Sequence, residues 1–303
     1  MLRPVSNPPN PWHTTEVEWI GEPPADELKV YETRAKAILA KNESPDVGFR
    51  WSLNPYRGCQ HACAYCYARP SHQYLDFGAG TDFDRKIVVR MNAPEALRAH
   101  FEKKSWSGEI IAFSGNTDCY QPLEAHYRLT RRCLEACLEY RNPVGIITKS
   151  ALIRRDLDVI GELAALGLAS AAVSIPFHDP ETCRKVEPGA PSPATRLETI
   201  RALADAGVRV TLAMAPIIPG LNDSDMAPLL EKAAAAGATR AFCLPVRLAS
   251  EVLPVFSERM QAAFPDRWKK IENAILEMRD GKMNDPRFGH RQTGSSNRWK
   301  ATE

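Results

Sequence analysis

Three thiols lie within eight residues, Cys59, Cys63 and Cys66, in the stretch NPYRGCQHACAYCYARP. Their spacing, C-x3-C-x2-C, puts soft ligands on one loop, and thiolates suit zinc or an iron–sulfur cluster. A structural zinc wants four protein ligands, so His61 or His72 would have to complete it. Three cysteines without an obvious fourth fit a cubane with one iron left open, where a small molecule can bind. The other five cysteines, at 119, 133, 137, 183 and 243, are scattered. Eight in a chain of 303 residues are too few for a disulfide scaffold. Cys133 and Cys137 share a helical face and read as packing thiols, as do Cys183 and Cys243.

The cysteine loop needs elements to hold it. Apolar runs of strand length occur at 110–113, 144–148, 169–175, 208–215 and 238–244, with a further strand at 51–54 just before the loop. Continuous hydrophobicity of this kind marks strands covered on both faces of a parallel sheet. Helix-length segments alternate with them at 123–140, 155–166, 194–206 and 224–236. Gly167, Gly207 and Gly237 stand where the last three should stop. Five or six βα units imply right-handed crossovers and a parallel sheet, open or closed into a barrel, with ligands at the C-terminal strand ends. Prolines break up the first fifty residues, although a short helix is expected around 25–41. After Leu253 the chain reads as helices at 256–264 and 268–279, then a Gly- and Ser-containing tail. The organisation expected is an irregular N-terminal extension (1–49), an α/β domain (50–253) and a C-terminal helical segment with a tail (254–303).

Composition narrows the function. Lys and Arg number 39 against 37 Asp and Glu, and 44% of residues are hydrophobic. That balance excludes a disordered chain and a polybasic nucleic-acid tail. No apolar run approaches the ~20 residues of a membrane span, and the N-terminus lacks the apolar segment of a signal peptide, so a soluble, cytoplasmic protein is expected. Beyond Phe256, ten basic residues face seven acidic ones, a weaker excess than a phosphate-tracking surface usually carries. Trp268, Phe288 and Trp299 are expected to pack against the domain rather than stack on bases.

C-x3-C-x2-C with an aromatic, here Tyr65, before the last cysteine resembles the signature of the radical S-adenosylmethionine (SAM) enzymes. The resemblance spans about residues 50–248 and implies a partial (β/α)6 barrel. It also implies a [4Fe–4S] cluster on the three cysteines, whose open iron chelates SAM, and an electron that splits the sulfonium to give methionine and a 5′-deoxyadenosyl radical. Within that superfamily the chain is similar to the spore photoproduct lyase-like, or repair photolyase-like, branch, through Tyr67, through SGNTDCYQP after the second strand and through VEPGAPSPATRLETIRALADAGV. This likeness implies SAM contacts from Tyr65, Ser114, Gly115, Asn116, Thr117 and Asp118. It adds Lys149 toward the cofactor carboxylate, Ser174 near the ribose, and Arg196. The segment PIIPGLND (216–223) resembles the loop lining the adenine and ribose.

Aligning Asp118 with the branch's motif aspartate puts Gly115 where the lyase has its hydrogen-donating cysteine, and Cys119 four residues further on. That departure points away from thymine-photoproduct repair. Cys119, Tyr65 and Tyr67 remain candidate hydrogen-atom relays.

Each candidate has a plainer alternative. Asp118 could cap the following helix, Ser174 satisfy a turn and Lys149 face solvent. Arg196 could hold a structural salt bridge, and Asn222 and Asp223 could cap a helix. The resemblance implies a flavodoxin or ferredoxin as electron donor and an unidentified substrate, with nucleic acid as one class and a peptide or small molecule as the rival. The contrasting class is a non-catalytic zinc or iron–sulfur nucleic-acid-binding protein.

Overall fold

The computed structural model describes residues 27–296 and 299–300. Six parallel strands lie side by side in chain order: β1 Trp51–Leu53, β2 Ile111–Phe113, β3 Val144–Thr148, β4 Ala169–Ser174, β5 Arg209–Ile217 and β6 Arg240–Pro245. Leu39–Lys41 adds an antiparallel strand outside β1. Leu53, Phe113, Ile146, Ala171 and Val210 pair in one row across the first five strands. All five are buried, and such a row is how parallel barrel strands fill their interior.

The helices are α1 Ala93–Phe101, α2 Leu129–Glu139, α3 Leu157–Ala165, α4 Pro180–Val186, α5 Pro193–Asp205, α6 Met226–Ala235, α7 Val252–Ala263 and α8 Trp268–Met278. In α5 the buried positions 196, 199, 200 and 203 recur at helical spacing, and α8 repeats this at 271, 274, 275 and 278. Ser192 caps α5, its Oγ accepting from the Thr195 amide at 3.2 Å, and Pro193 follows in the first turn. Gly167, Gly207 and Gly237 adopt φ of +74°, +76° and +101° just beyond α3, α5 and α6, the left-handed stop expected of them. The architecture is the partial (β/α)6 barrel. Among the described residues no helix is long and apolar enough to cross a membrane.

Several expectations are corrected. No helix forms within 27–41. Lys29–Thr33 is instead a strand, parallel to Lys86–Arg90, whose other neighbour is Tyr56–Arg57. Val30, Tyr31 and Thr33 are residue types that favour strands, and the partner that selects this one lies 57 residues away. Residues 25 and 26, and the proline-rich start up to 26, lie outside the described residues. The helix expected over 123–140 breaks at Arg128, which has φ +52°, leaving a short turn of helix at Glu124–Tyr127 before α2. The helix expected from 256 begins at Val252. Phe288 does not pack inward: it is 60% exposed, with the Arg291 guanidinium 4.3 Å from its ring centre. Trp299 is buried in the main core and Trp268 packs against Phe256.

The core has two large parts. One lies between the sheet and α1–α3, α5 and α6, and takes in Cys133 and Cys137. The second joins Phe256, Ile271 and Ile275 of α7 and α8 to Cys63, Ala64 and Tyr65. The C-terminal helices therefore form the apolar bed of the cysteine loop.

Candidate functional site

The cysteine loop starts from the side sheet. After β1 the chain turns at Asn54 and Pro55, pairs through Tyr56–Arg57, and reaches Gly58 and Cys59. Gly58 has φ +79°, and a Cβ there would lie 2.9 Å from Phe83 O. Ala62 is also left-handed, at φ +55°, so the loop coils tightly between the first two cysteines.

Its backbone is held from several directions. Arg69 donates to Cys63 O at 2.8 and 3.2 Å and pairs with Asp84 at 2.8 Å. Arg259 of α7 donates to Ala62 O at 2.6 Å and also grips Asp84. Gln121 accepts from Gln60 N at 3.1 Å and donates to Gly58 O at 3.0 Å. The loop after α4 lies directly on top: Gly189 N donates to His61 O at 3.1 Å, and a Cβ at Gly189 would lie 2.0 Å from Gln60 O. Only glycine permits that approach.

All three thiols are free, and each lies within electrostatic reach of the other two. Burial pushes the Cys63 thiol well above its ordinary value and Cys66 to about 11. Binding a metal would therefore release their protons. Among the described residues no three of His, Cys, Asp and Glu converge on a point as ligands of one ion would. Thiolates that each bind a different iron need not converge on one point, so this donor set fits a cluster. Of the two histidines, His61 lies between Cys59 and Asp118, with its Nδ1 3.4 Å from the carboxylate, and His72 lies between Phe77 and Phe83, away from the thiols.

Beside the loop lies a buried charge cluster. Glu187, past the end of α4, accepts from the Tyr65 hydroxyl and pairs with Arg196 at 2.5 Å. Lys149 Nζ, just after β3, lies 3.8 Å from Glu187 and 5.7 Å from the Tyr65 ring centre. Burial by itself would raise the Glu187 pKa, but the Arg196 and Lys149 charges hold it below the ordinary value. For Lys149 burial works downward, and the Glu187 charge lifts it above its usual value. Arg196 also donates to Ser174 O and Pro191 O, both at 2.9 Å, and so it stands in the salt bridge that was one of its two readings.

The strand ends bring most of the other candidates to the same face. Ser114, left-handed at φ +70°, accepts from Cys119 N at 2.8 Å. The Tyr67 hydroxyl donates to Gly115 O at 3.2 Å, and the ring stays half-exposed. Asn116 donates to Ser71 Oγ, and Thr117 accepts from Asn54 at 2.7 Å. Asp118 receives Thr148 Oγ1 at 2.7 Å, the Lys149 amide at 2.8 Å and the Tyr120 amide at 2.9 Å. Burial opposes its ionisation, but His61 and these donors draw its pKa down to about 2. It ties β2, β3 and the cysteine loop together and does not cap a helix. The Ser174 hydroxyl donates to Ala215 O at 3.3 Å. Asn222 stitches the loop after β5, accepting from Ile218 N and donating to Pro176 O, both at 2.6 Å, instead of capping a helix. Cys119 is not drawn to the mouth: it lies fully buried in the main core.

Sequence reasoning missed His61's role, Arg69, Arg259 and the centrality of Glu187. Arg69 in CYARP and Glu187 in VEPGA were visible beside the motifs, but no local signal names their partners.

A model of the Radical SAM superfamily matches residues 53–233. The chain is 42% identical over 228 residues to an uncharacterized protein of Mycobacterium tuberculosis, covering 74% of this chain and 66% of that one. It thus spans just under two thirds of that relative's length. It is also 26% identical over 230 residues to a protein of Pseudomonas phage M6 named Radical SAM Nalpha-GlyT isomerase, covering 75% of this chain and 46% of the phage protein. Among solved structures it shares its fold with a spore photoproduct lyase variant holding AdoMet and a dinucleoside spore photoproduct. There the TM-score is 0.59 at 16% identity, over 83% of this chain and 73% of the other.

Proposed function

Because this chain belongs to the radical SAM superfamily, whose enzymes use a [4Fe–4S] cluster and SAM, we propose that Cys59, Cys63 and Cys66 hold that cluster and that the protein abstracts hydrogen from a bound substrate. The observation that carries this is the loop itself: three free thiols, Cys59 and Cys63 buried and Cys66 partly so, coiled at the barrel mouth and clamped by Arg69, Arg259, Gln121 and Gly189. When bound, the cluster and SAM supply a one-electron cleavage of the sulfonium that leaves a 5′-deoxyadenosyl radical.

The chain's own residues bind, orient and shield. Lys149 offers a full positive charge to the SAM carboxylate. Ser114, Gly115, Asn116, Thr117 and Asp118 line the amino and sulfonium side, and Ser174 the ribose. Glu187 and Arg196 hold Tyr65 in place against the loop. The apolar bed from α7 and α8 keeps water from the site, which protects a reactive radical. Of the three candidate relays, Tyr67 has its ring at the mouth, so it is favoured over Cys119 in the core and Tyr65 on Glu187.

The electron comes from a small reductant such as flavodoxin or ferredoxin, and the cytoplasm is the compartment in which free thiols and a cluster persist. A nucleic-acid substrate and lyase-type chemistry draw support from the fold shared with spore photoproduct lyase. A peptide or small molecule is the other substrate class.

The test is anaerobic. Protein reconstituted with iron and sulfide should hold about four irons per chain, and after dithionite reduction it should convert SAM to 5′-deoxyadenosine. Cys63→Ala should do neither. A colourless protein carrying one zinc per chain would overturn the proposal.

A further inference from the structure

Arg247 stands two residues past β6, on the end of the sheet that carries the cysteine loop. Its Nε is buried without a hydrogen-bond partner, and among the described residues the side chain makes no hydrogen bond or ion pair. A buried polar group left unmatched costs about 1–3 kcal/mol, so its retention asks for a ligand.

The charges around it are already paired off. Four groups face it: Arg291, Arg279, Asp46 and the Tyr67 hydroxyl. Asp46 is taken by Arg291 and by Gly289 N at 2.7 Å. Asp285, near Arg279, is taken by Arg287 at 2.6 Å. Among the described residues Arg279 donates only to backbone oxygens, Val246 O at 2.8 Å among them, and its Nε is also buried and unmatched. Among the described residues, these two guanidinium groups are therefore left without a carboxylate partner.

Their place in the fold gives them a task. The Arg291–Asp46 pair joins the C-terminal tail to the loop after Leu39–Lys41. The tail thus straps the β6 edge of the open sheet to its opposite edge. Arg247 lies within electrostatic reach of that pair and of Tyr67, the residue following Cys66.

We propose that Arg247 is the docking point for an oxyanion of the substrate, a phosphate or a carboxylate, held by the N–H edge of its guanidinium at the barrel mouth. Two uncompensated cations favour phosphate, which can carry two negative charges. Arginine suits the task because its fork meets two oxygens at once. This rests on the barrel mouth being the active site.

The experiment is calorimetric titration of the oxidised, cluster-loaded protein with inorganic phosphate and, separately, with glutarate. Wild type should bind phosphate saturably and more tightly than glutarate. Arg247→Ala should weaken binding about tenfold or more. Arg247→Lys keeps the charge and guards against a folding defect in the alanine variant; it should recover only part of the affinity because the fork is lost. Arg240→Ala, at the far end of β6, removes the same charge and should change nothing. Tighter binding of glutarate that still depends on Arg247 would support the anchor and make the anion a carboxylate. No binding to wild type, or equal binding to wild type and both Arg247 variants, would overturn the proposal. Because the titration needs no turnover, it stands apart from the 5′-deoxyadenosine assay that decides the proposed function.

Discussion

The hydroxyl of Tyr65 donates to the carboxylate of Glu187, 122 residues further along the chain. Through that bond the residue before the third cysteine is fixed to a fully buried carboxylate that also neutralises Arg196 and faces Lys149. The cysteine loop and the βα units after β3 and β4 thus share one charge cluster. Lys149 is thereby held near the loop, 3.8 Å from Glu187 and over the Tyr65 ring.

Glu187→Ala should be among the most destabilising changes in this region. It would leave the buried Arg196 without a counter-charge, and breaking a buried pair from one side costs about 3–5 kcal/mol. Tyr65→Phe removes one hydrogen bond and should cost about 1 kcal/mol. Urea unfolding of the two variants checks the order; equal losses would show that Glu187 acts only through Tyr65.

Gly189→Ala tests the contact above the cysteine loop. A methyl placed 2.0 Å from Gln60 O must push the two loops apart. Iron per chain after reconstitution should fall well below wild type while the barrel stays folded by circular dichroism. Full iron content would mean that the loop after α4 yields freely.

Gly115 cannot simply be given the thiol that its aligned position carries in the lyase. A Cβ there would lie 2.6 Å from Ser52 Cβ. Gly115→Cys should lose about 1–3 kcal/mol through overpacking, and adding Ser52→Gly should restore part of it. Thermal unfolding of the single and double variants decides, and a double variant no better than the single would locate the strain elsewhere.

His72 makes stability depend on pH. Burial is the leading cause that lowers its pKa from 6.5 to about 4, so between those values the unfolded chain binds a proton that the folded chain refuses. Its contribution is therefore complete above about 6.5 and weakens as pH falls toward about 4, by on the order of 3 kcal/mol. His72→Phe should flatten that part of the curve. Unfolding free energies measured at pH 7, 5.5 and 4.5 would show it, and parallel curves would assign the slope to other groups.

What the sequence determined was local or periodic. Cys59, Cys63 and Cys66 announce a soft-ligand loop because ligand spacing is written in adjacent residues. The six strands and the stops at Gly167, Gly207 and Gly237 follow from burial pattern and backbone freedom, which act over a few residues. Tertiary structure decided everything that needed a distant partner. Lys29–Thr33 became a strand because Lys86–Arg90 offered it a free edge. Asp118 became a tie because His61, Thr148 and the Lys149 amide converge on it from other elements. Gly115 was closed by Ser52 across the β1–β2 pair, and Arg247 was left unmatched because the acids near it had already found other partners. Propensity and spacing act along the chain, whereas charge pairing and close approach depend on separations that exist only once the sheet has folded.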